Sequence, residues 1–171
     1  MTTNERIYWA VSMLDIQPSD RVLEIGCGAG LAVEQIAQKL TSGKITAIDQ
    51  SQAMITMASK RNKELIATEK VVLLTGKLAE IQLPDQGYDK IFAFNVSVFW
   101  KNPIRELQII ASHLKPDGAF YLFHQPPYDI TKQIAKKASE QLKKGNFAIV
   151  QTIFKALPPV AAFCIIAQAI R

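Results

Sequence analysis

The segment Arg21-Val22-Leu23-Glu24-Ile25-Gly26-Cys27-Gly28-Ala29-Gly30 constrains this chain more than any other. A short β-branched and apolar run, RVLEI, leads directly into glycines at 26, 28 and 30. Glycine takes the backbone angles of a sharp turn and, lacking Cβ, lets the main chain come close to a ligand. Helical spacing follows, with Ala32, Ile36 and Leu40 on one stripe that stops at Thr41-Ser42-Gly43. The helix start presents free amide donors and the positive end of a dipole. The pattern is GxGxG. A dinucleotide fingerprint needs GxGxxG, but Leu31 follows Gly30, and a P-loop needs Gly-Lys-Ser/Thr, which is absent.

The rest of the chain continues this alternation. Residues 4–15 place Ile7, Val11 and Leu14 on one helical face, and Pro18-Ser19-Asp20 is a turn. Lys44–Asp49 reads as the second strand, and Ser51 caps a helix carrying Met54, Met57, Ala58, Arg61 and Leu65 at helical spacing. Residues 71–74 form a third strand and residues 90–94 a fourth, introduced by Pro84-Asp85-Gln86-Gly87. Pro103 opens a helix that runs to Leu114 and is broken by Lys115-Pro116-Asp117-Gly118, before a fifth strand at 119–124. Residues 129–144 form a helix with Ile134, Ala138 and Leu142 inward and Lys132, Lys136 and Lys143 outward, ended by Gly145-Asn146. The last apolar runs, 147–154 and 160–169, flank Pro158-Pro159 and leave no room for a crossover helix, so they pair antiparallel. The expected fold is α/β: a doubly wound, mostly parallel seven-stranded sheet with a C-terminal antiparallel hairpin and helices on both faces. Such sheets bind ligands outside the carboxyl ends of their strands.

Length and composition agree with one domain over residues 1–171, in which 49% of residues are hydrophobic and 20% charged. Two cysteines, Cys27 and Cys164, cannot form a disulfide framework and read as reduced thiols. The start, MTTNERIYWA, lacks the basic-then-apolar layout of a signal peptide, and residues 160–167 are too few to span a bilayer. A cytoplasmic location without a membrane partner is expected. The net charge of +5 is uneven, because residues 126–171 hold 7 basic and 2 acidic side chains. The plain reading is a solvated lysine-rich helix; the functional one is a surface for nucleic acid.

Two acids accompany the glycine loop. Asp49 ends the second strand, where a carboxylate can accept from two ribose hydroxyls. Glu24 precedes the turn, where an amine on the ligand would partner it. With no phosphate-binding base nearby, the pair favours a ligand with a ribose and a cationic part.

On VLEIGCGAG, TAIDQS, the Leu83-to-Asp89 stretch LPDQGYD and Leu114-Lys115-Pro116-Asp117-Gly118, the chain resembles the class I S-adenosylmethionine-dependent methyltransferases, the seven-stranded Rossmann-like family. The resemblance spans residues 10–169. It implies S-adenosyl-L-methionine as cofactor and S-adenosyl-L-homocysteine as product. Carried onto this chain, Gly26, Cys27, Gly28 and Gly30 would wrap the cofactor, and Glu24 would contact its amino-acid part. Asp49 would hold the ribose, Gln50 would lie beside the adenine with Met54 against it, and Asn95 and Val96 would line the methionine end. The family often has Gly-Asp-Ala after its third strand, whereas this chain reads Gly76-Lys77-Leu78-Ala79. Lysine cannot accept from the adenine amino group, which turns attention to the backbone of Lys77, Leu78 and Ala79.

A sulfonium methyl is already activated, so alignment of the nucleophile supplies much of the acceleration. No general base or metal-ligand set stands out. His124, at the end of the fifth strand, is the candidate for a group acting on the acceptor, and His113 reads as structural. Pro126-Pro127-Tyr128 does not match the Asp/Asn-Pro-Pro-Tyr motif of amino-group methyltransferases, which follows strand four. The sequon Asn95-Val96-Ser97 carries no weight without export. Tyr8, Trp9, Phe99 and Trp100 either wall the acceptor pocket or pack the N-terminal helix, residues 1–17, onto the sheet beside it. A small-molecule acceptor is the leading expectation. An RNA or protein acceptor on the basic stretch 132–144, or a non-catalytic cofactor-binding partner subunit, stays open, as does an oligomer.

Overall fold

In the computed structural model, residues 3–84 and 87–171 are described, so the turn expected at Pro84-Asp85-Gln86-Gly87 lies partly outside them. The chain runs α1 (Thr3–Met13), β1 (Arg21–Ile25), α2 (Leu31–Lys39), β2 (Lys44–Asp49), α3 (Gln52–Arg61), α4 (Lys63–Ala67), β3 (Val71–Thr75) and β4 (Tyr88–Phe94). After a single 3₁₀ turn at Ser97–Trp100 come α5 (Ile104–His113), β5 (Leu114–His124), α6 (Thr131–Lys144), β6 (Phe147–Lys155) and β7 (Ala162–Ala169). Seven strands form one sheet in the order β3-β2-β1-β4-β5-β7-β6. Pairs among β1 to β5 are parallel, and β7 inserts antiparallel between β5 and β6.

Strand alternation sends side chains to two cores. From β1, Leu23 and Ile25 face the layer built with Phe99, Leu107, Ile110, Ala135, Ala138 and Leu142. Val22 faces the opposite layer, packed by Val11 and Leu14 of α1 with Val33 and Ile36 of α2. Helices therefore cover both faces, as a mostly parallel sheet requires. The chain winds outward from β1 through β2 to β3, then returns to place β4 on the other side of β1. That reversal opens a crevice beyond the carboxyl ends of β1 and β4.

Three details differ from the sequence expectation. The helix expected through Met54 to Leu65 breaks at Asn62. The Asn62 amide donates to Ala58 O at 2.9 Å and Gly30 O at 3.1 Å, so its side chain serves the glycine loop instead of a continuous helix. Ile55 and Ala58 form the buried stripe, which leaves Met54 and Met57 exposed. Finally, α5 ends at His113 as expected, but Lys115-Pro116-Asp117-Gly118 is no turn before a later strand; it already lies within β5. Leu114 pairs with Tyr88 and Ala119 with Lys90, so the intervening residues bulge. Lys115 Nζ holds this bulge to Asp89 at 2.7 Å, and Asp89 also accepts from Arg21 N at 2.8 Å. Proline is admitted at such irregular positions.

Beneath the amino ends of the strands, Lys90 Nζ pairs with Asp20, and both side chains are largely buried. Removing one partner strands a charge out of water. Asp20→Ala should lower unfolding free energy by about 3–5 kcal/mol in urea titration. The double variant Asp20→Leu/Lys90→Met should recover most of that loss.

Candidate functional site

The glycine loop is held from below. Gly26 N and Cys27 N both donate to Ile48 O, at 2.8 and 3.0 Å. Gly28 N donates to Asp49 Oδ2 at 2.9 Å, and Ser51 N donates to Asp49 Oδ1 at 2.9 Å. One carboxylate thus joins the β1–α2 turn to the β2–α3 turn. Ser51 Oγ accepts from Met54 N at 3.4 Å, capping α3 as expected. At Gly30 (φ +76) a Cβ would come within 2.8 Å of Ala58 Cβ and 2.7 Å of Asn62 Nδ2, so only glycine lets α3 approach the loop.

Beyond these turns lies a cavity of about 350 Å³, at the carboxyl ends of β1, β2, β3 and β4. Of the residues singled out in the sequence, Gly26, Asp49, Gln50, Lys77, Asn95 and Val96 line it. A Cβ on Gly26 would stand 2.6 Å from Val96 Cγ2, so a larger residue would intrude between the two walls. Ile25, Ile48, Gly76, Phe94, Ser97, Val98 and Glu106 also line it and were not singled out from the sequence. Pro103 signalled the helix that carries Glu106, but helical periodicity gave no sign that this acid faces the crevice.

The remaining expected residues, Glu24, Cys27, Gly28, Gly30, Met54, Leu78 and Ala79, are not among those that line that cavity. Cys27 is buried, and burial followed by the Glu24 and Asp49 charges pushes its thiol well up, so it is no nucleophile. Leu78 is buried in the core, and Ala79 O accepts from Arg105 Nη2 at 2.8 Å. Lys77 Nζ pairs with Glu80 at 3.2 Å. Met54 is exposed and outside the cavity lining, so a role against a ligand there finds no support in its position.

Glu24 is 3% exposed, and its Oε2 has no hydrogen-bond partner. Burial first, then the Asp49 charge, raises its pKa to about 8. Near neutrality Glu24 is therefore largely protonated.

A second cavity, of about 470 Å³, is bordered by Arg6 of α1, by Asn95, His124 and Gln125, and by prolines and Val160. Asn95 lines both cavities. It takes a left-handed backbone (φ +56), a conformation asparagine tolerates. Gln125 N donates to Asn95 Oδ1 at 2.9 Å, which fixes that atom as an acceptor. His124 Nδ1, 2.8 Å from the same oxygen, must then carry a proton, leaving Nε2 with a lone pair. Burial lowers the His124 pKa to about 4, so the ring is neutral at physiological pH. Trp100 packs on this ring at 4.0 Å between centroids, a role distinct from seating α1. Trp9 does seat α1, edge-on to Phe123 at 5.5 Å. His113 Nδ1 lies 2.9 Å from Ile109 O, the structural place expected of it.

Residues 22–118 match the family described as methyltransferase domain. The chain belongs to that family. It is similar to the uncharacterized methyltransferase YdaC of Bacillus subtilis (strain 168), 27% identical over 165 residues, covering 94% of this chain and 89% of that protein. Its fold is similar to a SAM-dependent methyltransferase from Aquifex aeolicus, with a TM-score of 0.75 and 17% identity over 98% of this chain and 90% of that one. It is also similar to magnesium protoporphyrin IX methyltransferase from Synechocystis PCC 6803, solved with bound SAM. There the TM-score is 0.70 and the identity 20%, over 98% of this chain and 77% of that one.

This methyltransferase uses S-adenosylmethionine, which supplies an activated methyl group. The residues present suit such a group. The Asp49 oxygens each keep acceptor capacity after binding the two backbone amides. The orphaned Glu24 Oε2 suits a cationic neighbour.

Because Glu24 holds its proton more tightly folded than unfolded, its stabilising contribution is full below pH about 4.5 and is lost as pH rises through about 8. Stability of the ligand-free protein should therefore fall between these values, by up to ~1.4 kcal/mol per pH unit from this group. Comparing Glu24→Gln with the parent across pH 5–9 by thermal unfolding tests this. The variant should gain relative stability as pH rises, and a constant difference would rule the linkage out.

Proposed function

We propose that the chain moves the methyl group of S-adenosylmethionine to a small-molecule acceptor held in the second cavity. The observation that carries this reading is Asn95, which borders both cavities and so marks where cofactor and acceptor meet. Cavities of a few hundred Å³ are the size that small ligands occupy.

In this reading Asp49 accepts from the ribose hydroxyls while it keeps the glycine loop in shape. Gly26 and Gly28 bring backbone against the cofactor, and Glu24 sits behind its amino-acid part. Gln50 lies beside the adenine and supplies the amide oxygen that Lys77 cannot. Val96 and Asn95 border the methionine end. His124, neutral and with an accepting Nε2, orients an acceptor hydroxyl or amine by taking a hydrogen bond from it. Transfer then rests on alignment of the nucleophile with the carbon–sulfur bond.

Calorimetry with S-adenosylhomocysteine tests the cofactor half. Binding should be measurable, and Asp49→Ala should weaken it by about 1–3 kcal/mol, the cost of losing a charged hydrogen bond. Unchanged affinity would remove the ribose assignment. A transfer screen with labelled cofactor against metabolite pools, with RNA as a control, tests the acceptor half. Label entering RNA in preference to small molecules would transfer the acceptor role to the exposed lysines of α6.

A further inference from the structure

We propose that the second cavity selects an acceptor bearing a carboxylate on an apolar body, and that Arg6 is the residue that recognises it. This deepens the reading of that cavity as the acceptor site and rests on it.

Arg6 projects from α1 into the cavity wall, and its guanidinium lies over the Phe94 ring at 5.7 Å from the centroid. The cation lies within cation–π range of that ring, a contact that leaves its N–H groups to bond a ligand. Arg6 Nε is buried without a hydrogen-bond partner. Among the described residues no ion pair includes Arg6. A desolvated donor with nothing to donate to is costly, and a ligand oxygen would remove that cost.

The other walls say which anion. Pro126, Pro127 and Val160 offer apolar surface. The Gln125 amide is already spent on Leu157 O and Val160 O, at 3.2 and 2.8 Å. His124 is neutral and offers a lone pair rather than a second positive charge. One guanidinium in an otherwise uncharged cavity balances one negative charge. Its planar fork matches a carboxylate, whereas a phosphate dianion would keep an uncompensated charge beside apolar walls.

The test uses full-length protein saturated with S-adenosylhomocysteine and three probes of one chain length: hexanoate, hexanamide and hexyl phosphate. Binding is followed by NMR titration. Hexanoate should bind about tenfold or more tightly than hexanamide, as expected for a charge-assisted hydrogen bond. Arg6→Gln should abolish that difference, Arg6→Lys should keep part of it, and S-adenosylhomocysteine affinity should be the same in all three proteins. Equal binding of acid and amide overturns the proposal. So does an acid preference that survives Arg6→Gln, tighter binding of hexyl phosphate, or no binding of hexanoate at its solubility limit. Failure of S-adenosylhomocysteine to bind the parent protein would instead overturn the cofactor reading, and the two failures are read from separate titrations.

Discussion

The site depends on one carboxylate. Asp49 receives Gly28 N on one oxygen and Ser51 N on the other, so the side chain that ends β2 sets the shape of the turns after β1 and β2 together. Each bond is charge-assisted and contributes about 1.5–3 kcal/mol. The cavity floor is therefore formed by the fold rather than by a ligand. The same charge acts on its neighbours. After burial it raises the Glu24 pKa, and after burial and Glu24 it adds to the rise of the Cys27 thiol. A cationic ligand arriving at Glu24 would favour loss of its proton.

Asn62 extends this constraint outward. By bonding Gly30 O it ties α3 to the glycine loop, and by bonding Ala58 O it ends α3. This explains which features were legible in the sequence. The boundaries of β1 and β2 could be read because β-branched runs meet glycine, aspartate and serine, residues whose local chemistry stops a strand. The break at Asn62 could not, because an asparagine on a helical stripe looks like an ordinary exposed residue until its tertiary partner is known. Met54 misled for the related reason that helical spacing identifies a stripe without saying which of two adjacent stripes faces inward. The bulge at Lys115 is similar. Pro116 and Gly118 signal a turn locally, while the ion pair to Asp89 and pairing across to β4 keep the segment in the sheet.

The cofactor side of the crevice was legible because it is made of consecutive residues at strand ends. The second cavity combines α1, the end of β4, the end of β5 and the segment before β7, which no local pattern joins. His124 could be named from its place at a strand end. Its tautomer could not, since that follows from Gln125 N sharing Asn95 Oδ1 with the ring. Arg6 is an unremarkable basic residue in an amphipathic helix until Phe94 is seen beneath it.

These two halves place different demands on charge. The cavity at the ends of β1 to β4 is lined by Asp49 and Glu106 together with Lys77, and the buried Glu24 behind it feels the Asp49 charge. The second cavity has Arg6 as its one charged lining residue. Between them stands Asn95, whose amide oxygen is fully engaged with His124 and Gln125 and whose backbone turns the chain across the boundary. Methyl transfer from a sulfonium needs little proton chemistry and much alignment. Under the proposed reading that alignment falls to the boundary itself, where Asn95 Oδ1 holds both the His124 ring and the Gln125 backbone in place.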